Sequence, residues 1–105
     1  MFVKLSKDRR ISLEDRDNFR AFKLVIEDDA SALASAQAAL KDIAELEGPA
    51  VAWIYQDALR KRPEVMGDAI WAQGFDAMIE KARPHGWIDE TRRAIKAHIE
   101  WIDPA

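Results

Sequence analysis

The sequence predicts an α+β protein that is mostly helical, with a short N-terminal β-ribbon or hairpin followed by a four-helix C-terminal region. Apolar and polar residues alternate near the N-terminus, as they do in a half-buried strand. In the later segments apolar residues recur every three or four positions, which is the spacing of one helix face. Breaks at Gly48-Pro49, Pro63 and Pro84-His85-Gly86 divide that later part into four segments.

Length and composition predict one globular domain, residues 1–105, with the ribbon in 1–28 and the helical region in 29–105. The chain is 49% hydrophobic and 33% charged, which is enough apolar surface to form a core. Its net charge of −3 gives no general attraction to nucleic acid or to anionic lipid. Without cysteine, and without an apolar run of about 20 residues, we expect a cytoplasmic protein with no membrane partner.

The first 28 residues favour strands. Phe2–Leu5 is predicted to form one strand, and the alternation of Phe22, Leu24 and Ile26 with Lys23, Val25 and Glu27 predicts another. An alternative stays open for residues 12–27, because Ser12-Leu13-Glu14-Asp15 resembles a capping box that could begin a helix. An isolated ribbon of this length is marginally stable, so it must pack on the helices or pair with a second chain.

The first two predicted helices cover residues 30–47 and 50–62. Asp28, Asp29 or Ser31 can cap the first, and Gly48 is its expected end. The second has apolar residues at helical spacing and a basic C-terminal end, which suits the negative pole of a helix dipole.

The third and fourth predicted helices cover residues 64–83 and 89–102. Gly67 and Gly74 lie within the third and each costs about 1 kcal/mol relative to alanine, so we expect something to approach the backbone closely there. The fourth has Asp89 as its expected N-cap. Its predicted apolar face consists of Ile88, Arg92, Ile95, His98, Ile99 and Ile102.

All four tryptophans and both histidines lie between Trp53 and Trp101. A buried tryptophan removes roughly 150–250 Å² of surface from water, so this region must form a core, a dimer interface or a pocket. A core is the ordinary interpretation of aromatic residues at helical spacing. The pocket interpretation predicts aromatic walls around a flat or apolar molecule, with Arg92 or His98 as the polar group. Its candidate ligand-binding residues are Trp71, Trp87, Arg92, His98 and Trp101.

The residues that carry common chemistries do not occur in their usual patterns. Neither histidine has the spacing of a metal site, and no serine lies in a Gly-x-Ser-x-Gly turn. Glycine-rich phosphate loops are also missing from the sequence. We therefore predict no catalytic residue, no metal site and no cofactor, and an enzyme is less expected than a non-enzymatic protein.

These observations predict a small non-enzymatic interaction or regulatory domain that forms a homodimer and has a possible protein partner. The dimer is expected from the heavy aromatic content, the small residues that permit close approach and an unpaired strand edge. The first alternative is a small-molecule-binding protein or modest enzyme with an aromatic pocket around His98. The second is a nucleic-acid binder that uses two basic clusters, Arg60-Lys61-Arg62 and Arg92-Arg93 with Lys96. Nucleic acid is disfavoured because the segment after Pro63 is apolar where a recognition helix would be polar.

Overall fold

A computed structural model describes residues 1–103. These residues form seven strands and three helices, with short 3₁₀ turns at Ala30–Ala32 and Arg83–His85. The strands are β1 (Phe2–Leu5), β2 (Ile11–Glu14), β3 (Lys23–Glu27), β4 (Ala44–Leu46), β5 (Val51–Tyr55), β6 (Ile88–Asp89) and β7 (Ala94–Ile102). The helices are α1 (Leu33–Leu40), α2 (Gln56–Arg60) and α3 (Ala69–Ala82).

The strands make one curled, mixed sheet in the order β2-β1-β3-β7-β5-β4, and β6 also pairs with β7. β1 and β3 are parallel neighbours, as are β3 and β7, whereas the remaining neighbouring pairs are antiparallel. β7 is the longest strand and joins the two halves of the sheet. The N-terminal strands are therefore not a separate ribbon, because β3 is hydrogen-bonded to β7 along five residue pairs.

One hydrophobic core holds the sheet and the helices together. It contains side chains from all three helices and from every strand except β6, whose Ile88 packs against it. On α3 the buried residues are Trp71, Phe75, Ile79 and Ala82, a spacing of three or four that places them on one side of the helix. Burial of this apolar surface is the main force that stabilises the fold.

The prediction of a mostly helical protein with a four-helix C-terminal region is wrong. Residues 89–102, predicted as the fourth helix, end in the nine-residue strand β7. Ile95, Ala97 and Ile99 are buried there while Lys96 and His98 are exposed, so the period of the segment is two. Strand pairing on both sides of β7 outweighs the helical spacing that its isoleucines also satisfy.

The predicted second helix, residues 50–62, is also mostly wrong, because β5 occupies its first half and only Gln56–Arg60 is helical. The predicted first helix ends at Leu40 rather than at Gly48, and residues 44–46 form the edge strand β4. In β4 and β5 buried residues alternate with more exposed ones. Both segments form strands because β5 pairs with β7 and β4 pairs with β5.

α3 is the long helix predicted in residues 64–83, although it begins only at Ala69. The Asp68 side chain caps it by accepting a hydrogen bond from the Trp71 N–H at 2.9 Å. Gly67, expected inside the helix, lies in the preceding turn with φ of +81°. None of the three helices described has the length and hydropathy that a bilayer crossing requires.

Candidate ligand-binding groove

Two different strands pair with the same edge of β7, and they leave a gap between them. β6 pairs with Ala94 and Ile95, whereas β3 pairs with residues 98–102. β5 occupies the opposite edge along residues 94–98. In the described part of the chain neither β6 nor β3 pairs with Lys96 or Ala97, and the Lys96 N–H instead donates to the Trp87 carbonyl at 2.8 Å.

A groove of about 740 Å³ opens at this gap. One wall is the C-terminal end of α3 with the following turn and Trp87, and the other is the loop that leads into β3. The middle of β7 and the start of β5 complete it. Its volume lies in the range of roughly 300–1,000 Å³ that is typical of small-molecule sites. The lining residues are Phe19, Arg20, Ala21, Phe22, Ala50, Val51, Met78, Lys81, Ala82, His85, Trp87, Ile95, Lys96, Ala97 and His98.

The charged side chains that line the groove are all basic. Most lysines and arginines of residues 1–103 have a carboxylate within 4.0 Å, and the exceptions are Arg20, Lys41, Lys61, Lys81 and Lys96. Three of these five unpaired cations lie in the groove. Positive charge that has no carboxylate of residues 1–103 within 4.0 Å is therefore concentrated at this site.

Three acidic side chains close in sequence to groove residues, Glu80, Glu90 and Glu100, are already paired with other cations. Glu100 accepts a hydrogen bond from Lys23 at 2.6 Å, and this bond lowers the pKa of the Glu100 carboxyl from its ordinary value of 4.5. Glu80 and Glu90, close in sequence to the groove wall, both bind Arg83. The groove cations consequently keep their charge available to a ligand.

The aromatic part of the wall is a stacked pair, His85 and Trp87. Their ring centroids are 4.3 Å apart and the ring planes differ by 18°. Trp87 is 46% exposed, whereas Trp71 is only 2% exposed. Phe19, Phe22 and Met78 add half-buried apolar surface around the pair.

The structure brings two of the five predicted ligand-binding residues into the groove, Trp87 and His98. Trp71 lies in the core, where it stacks on Phe75 and donates its indole N–H to the Arg16 carbonyl at 2.9 Å. Trp101 is half-buried and donates to the Pro49 carbonyl at 2.7 Å. Neither of these two tryptophans lines the groove.

Arg92, the other predicted polar group, also lies outside the groove. It hydrogen-bonds Asp89 at 2.6 Å, forms an ion pair with Glu45 and covers the ring of Trp53 at 5.2 Å from its centroid. These contacts fix Arg92 as a link between β4, β5 and the β6–β7 turn.

Several groove residues were missed by sequence reasoning, above all Arg20, Lys81 and Lys96. A period of two applied to residues 94–102 would have placed Lys96 and His98 on the same strand face. Lys81 and His85 are one helical turn apart beside Trp87, which was a usable signal. Nothing local marks Arg20, because the loop reaches the groove only through the pairing of β3 with β7.

The two basic clusters of the sequence are largely neutralised. Arg60 pairs with Asp76, Arg62 with Glu64 and Arg93 with Asp57, as Arg92 does with Asp89. These ion pairs reduce the positive charge that the clusters could offer to phosphates.

Among residues 1–103, no group of three or more histidine, aspartate or glutamate side chains has an arrangement that could hold a metal ion. Comparisons with protein-family models, with curated proteins and with solved structures gave no match to this chain.

Proposed function

We propose that this protein binds a small organic anion in the groove between α3, the loop before β3 and β7. The observation that carries the proposal is that three cations without an ion-pair partner among residues 1–103, Arg20, Lys81 and Lys96, lie in a groove that no carboxylate side chain of those residues lines. The remaining walls are largely apolar, so the ligand is expected to combine an acidic group with a hydrophobic part.

Electrostatics favour an anion here even though the chain as a whole carries a net charge of −3. Two unit charges 4 Å apart attract by about 1 kcal/mol in bulk water and more strongly near a protein surface. Apolar neighbours such as Phe22 and Met78 displace water from the ligand and strengthen that attraction. The local field, rather than the net charge, decides which small ligand binds.

The experiment compares naphthalene-2-carboxylate with the uncharged naphthalene-2-carboxamide by isothermal titration calorimetry. We expect the carboxylate to bind and the amide to bind at least roughly tenfold more weakly, which corresponds to about 1.4 kcal/mol. Carboxylate affinity should also fall with rising salt concentration, because the groove cations are exposed.

A matched pair of double variants separates local charge from net charge. Lys81→Gln with Lys96→Gln removes two groove cations, whereas Lys41→Gln with Lys61→Gln removes two unpaired lysines elsewhere. The first variant should lose carboxylate affinity by roughly tenfold and the second should retain it. Equal affinities for the acid and the amide, or equal losses in both variants, would refute the proposal.

A further inference from the structure

Trp87 differs from the other three tryptophans in how its indole N–H is satisfied. Trp53 donates to Glu47, Trp71 to the Arg16 carbonyl and Trp101 to the Pro49 carbonyl. Within residues 1–103 the Trp87 N–H has no protein acceptor, and its ring is the most exposed of the four. A donor and a large apolar surface are thus both left open at the groove wall.

The Trp87 ring is exposed but firmly held. Its backbone carbonyl accepts the Lys96 N–H at 2.8 Å, and its ring stacks on His85. Gly86 turns the chain between the two rings with φ of +76°, a conformation that glycine adopts at little cost. A ring fixed in this way loses little conformational entropy when a ligand packs against it.

The positions of the cations connect this ring to the charged part of the groove. Lys81 precedes His85 by one helical turn, and Lys96 is hydrogen-bonded through its backbone to Trp87 itself. The two lysines therefore line the same groove as the aromatic pair, one from α3 and one from β7.

We infer that the ligand carries a planar aromatic ring that packs on the His85–Trp87 pair, with an acidic group on the same molecule directed to Lys81 and Lys96. This inference rests on the proposed function and adds the chemical class of the ligand. The shared chemistry is an aromatic ring joined to an anionic group, which an aryl carboxylate or a nucleotide could supply.

The test measures how much a planar aromatic ring increases the affinity of the protein for an anion. Naphthalene-2-carboxylate is compared with decahydronaphthalene-2-carboxylate, which keeps the charge and a similar size but has no aromatic face. Adenosine 5′-monophosphate is compared with ribose 5-phosphate in the same way, and the tighter aromatic probe identifies the source of the anion. We expect each aromatic probe to bind about fivefold more tightly than its non-aromatic counterpart.

Trp87→Leu tests the residue assignment, and Trp53→Leu is the control because Trp53 lies outside the groove. The preference for aromatic probes should disappear in the first variant and persist in the second. If aromatic and saturated anions bind wild-type protein equally, the ring assignment is overturned while anion binding stands. If no anion binds, the proposed function itself has failed, and the two failures are therefore distinguishable.

Discussion

Gly74 lies on α3 directly against the ring of Phe19, and a Cβ added at this position would come within 2.4 Å of that ring. The sequence predicted that something approaches the backbone here, and it is a side chain of the same chain. Phe19 also contacts Trp71 at a centroid distance of 6.2 Å and lines the groove. Gly74 thus leaves room for the ring of Phe19, which forms part of one groove wall.

Gly74→Ala is expected to destabilise the protein by about 1–2 kcal/mol. The free-energy cost of displacing Phe19 should exceed the stabilisation that the higher helix propensity of alanine provides. Chemical denaturation of Gly74→Ala in the wild-type and Phe19→Ala backgrounds checks this. In the Phe19→Ala background the same change should become neutral or stabilising. A stabilising effect in both backgrounds would show that the close contact has no energetic consequence.

Asp68 gives α3 a pH-dependent N-cap. The Trp71 N–H and then Arg16 lower the pKa of the Asp68 carboxyl from its ordinary value of 3.8. Because the folded pKa lies below the unfolded one, the ionised carboxylate stabilises the fold above about pH 4, and this contribution is lost as pH falls through the folded value.

Asp68→Asn should therefore lower the melting temperature at pH 7, and the difference from wild type should shrink below about pH 4. Thermal denaturation followed by circular dichroism from pH 7 to pH 2 measures it. Asp57→Asn, in an exposed ion pair at 3.3 Å, is the control and should change the melting temperature less. A difference that persists unchanged at pH 2 would contradict a role for the carboxylate charge.

At the scale of whole elements, the two edges of the sheet are partly covered by side chains. On β2 the Leu13 N–H donates to Glu64 at 2.7 Å, and the Ile11 carbonyl accepts from Arg62 at 2.8 Å. On β4 the Leu46 carbonyl accepts from Gln37 at 3.1 Å. The Arg62–Glu64 ion pair at 3.1 Å thus occupies the positions that a further strand would take beside β2.

Burial raises the pKa of Glu64, but hydrogen bonds from Arg62 and the Leu13 N–H outweigh this effect and lower it overall. Glu64→Ala should expose the β2 edge and increase self-association, measured by light scattering across a concentration series. Glu64→Gln keeps an acceptor for the Leu13 N–H and should behave more like wild type. Glu80→Ala removes an exposed helix ion pair as a control. Unchanged scattering in Glu64→Ala would mean that the edge needs no cover.

Element prediction from sequence succeeded where the local pattern had one meaning. The alternation around Leu24 and Ile26 predicted β3, and the long apolar stripe beginning near Trp71 predicted α3. β5 and β7 failed because alanines and regularly spaced isoleucines fit both periods over a short run. The choice is made by partners distant in sequence, such as the pairing of Leu24 with Ile99, which no local window contains.

For the whole molecule, the homodimer stays a prediction. Part of its basis has changed, since the β2 edge is covered and Phe19 of the same chain fills the space beside Gly74. The face of the sheet away from the core still presents half-buried apolar residues that could meet a second copy: Trp53, Tyr55 and Ile102.

Light scattering during dilution should show the mass falling from that of two chains to that of one chain. Tryptophan emission should shift to the red at the same time, because Trp53 becomes exposed. Ile102→Lys should shift this transition to higher protein concentration. A monomer mass at every concentration would remove the dimer.

The groove was only partly predictable for the same reason as the sheet. Sequence reasoning named Trp87 and His98 as candidate ligand-binding residues because of their residue types, and both line the groove. It could not find the unpaired state of Lys81 or Arg20, because that state depends on where every carboxylate of the folded chain lies. A site defined by missing ion pairs becomes visible only when the whole charge arrangement is known.

The short length of β6 leaves the middle of β7 open at the groove. β6 is two residues long, and its pairing along β7 stops where the Trp87 carbonyl accepts the Lys96 N–H. An insertion just before Ile88 that carried this pairing past Lys96 towards His98 would narrow the opening and add main-chain hydrogen bonds. The length of the segment that joins α3 to β6 is therefore expected to set the size of the molecule that the groove admits.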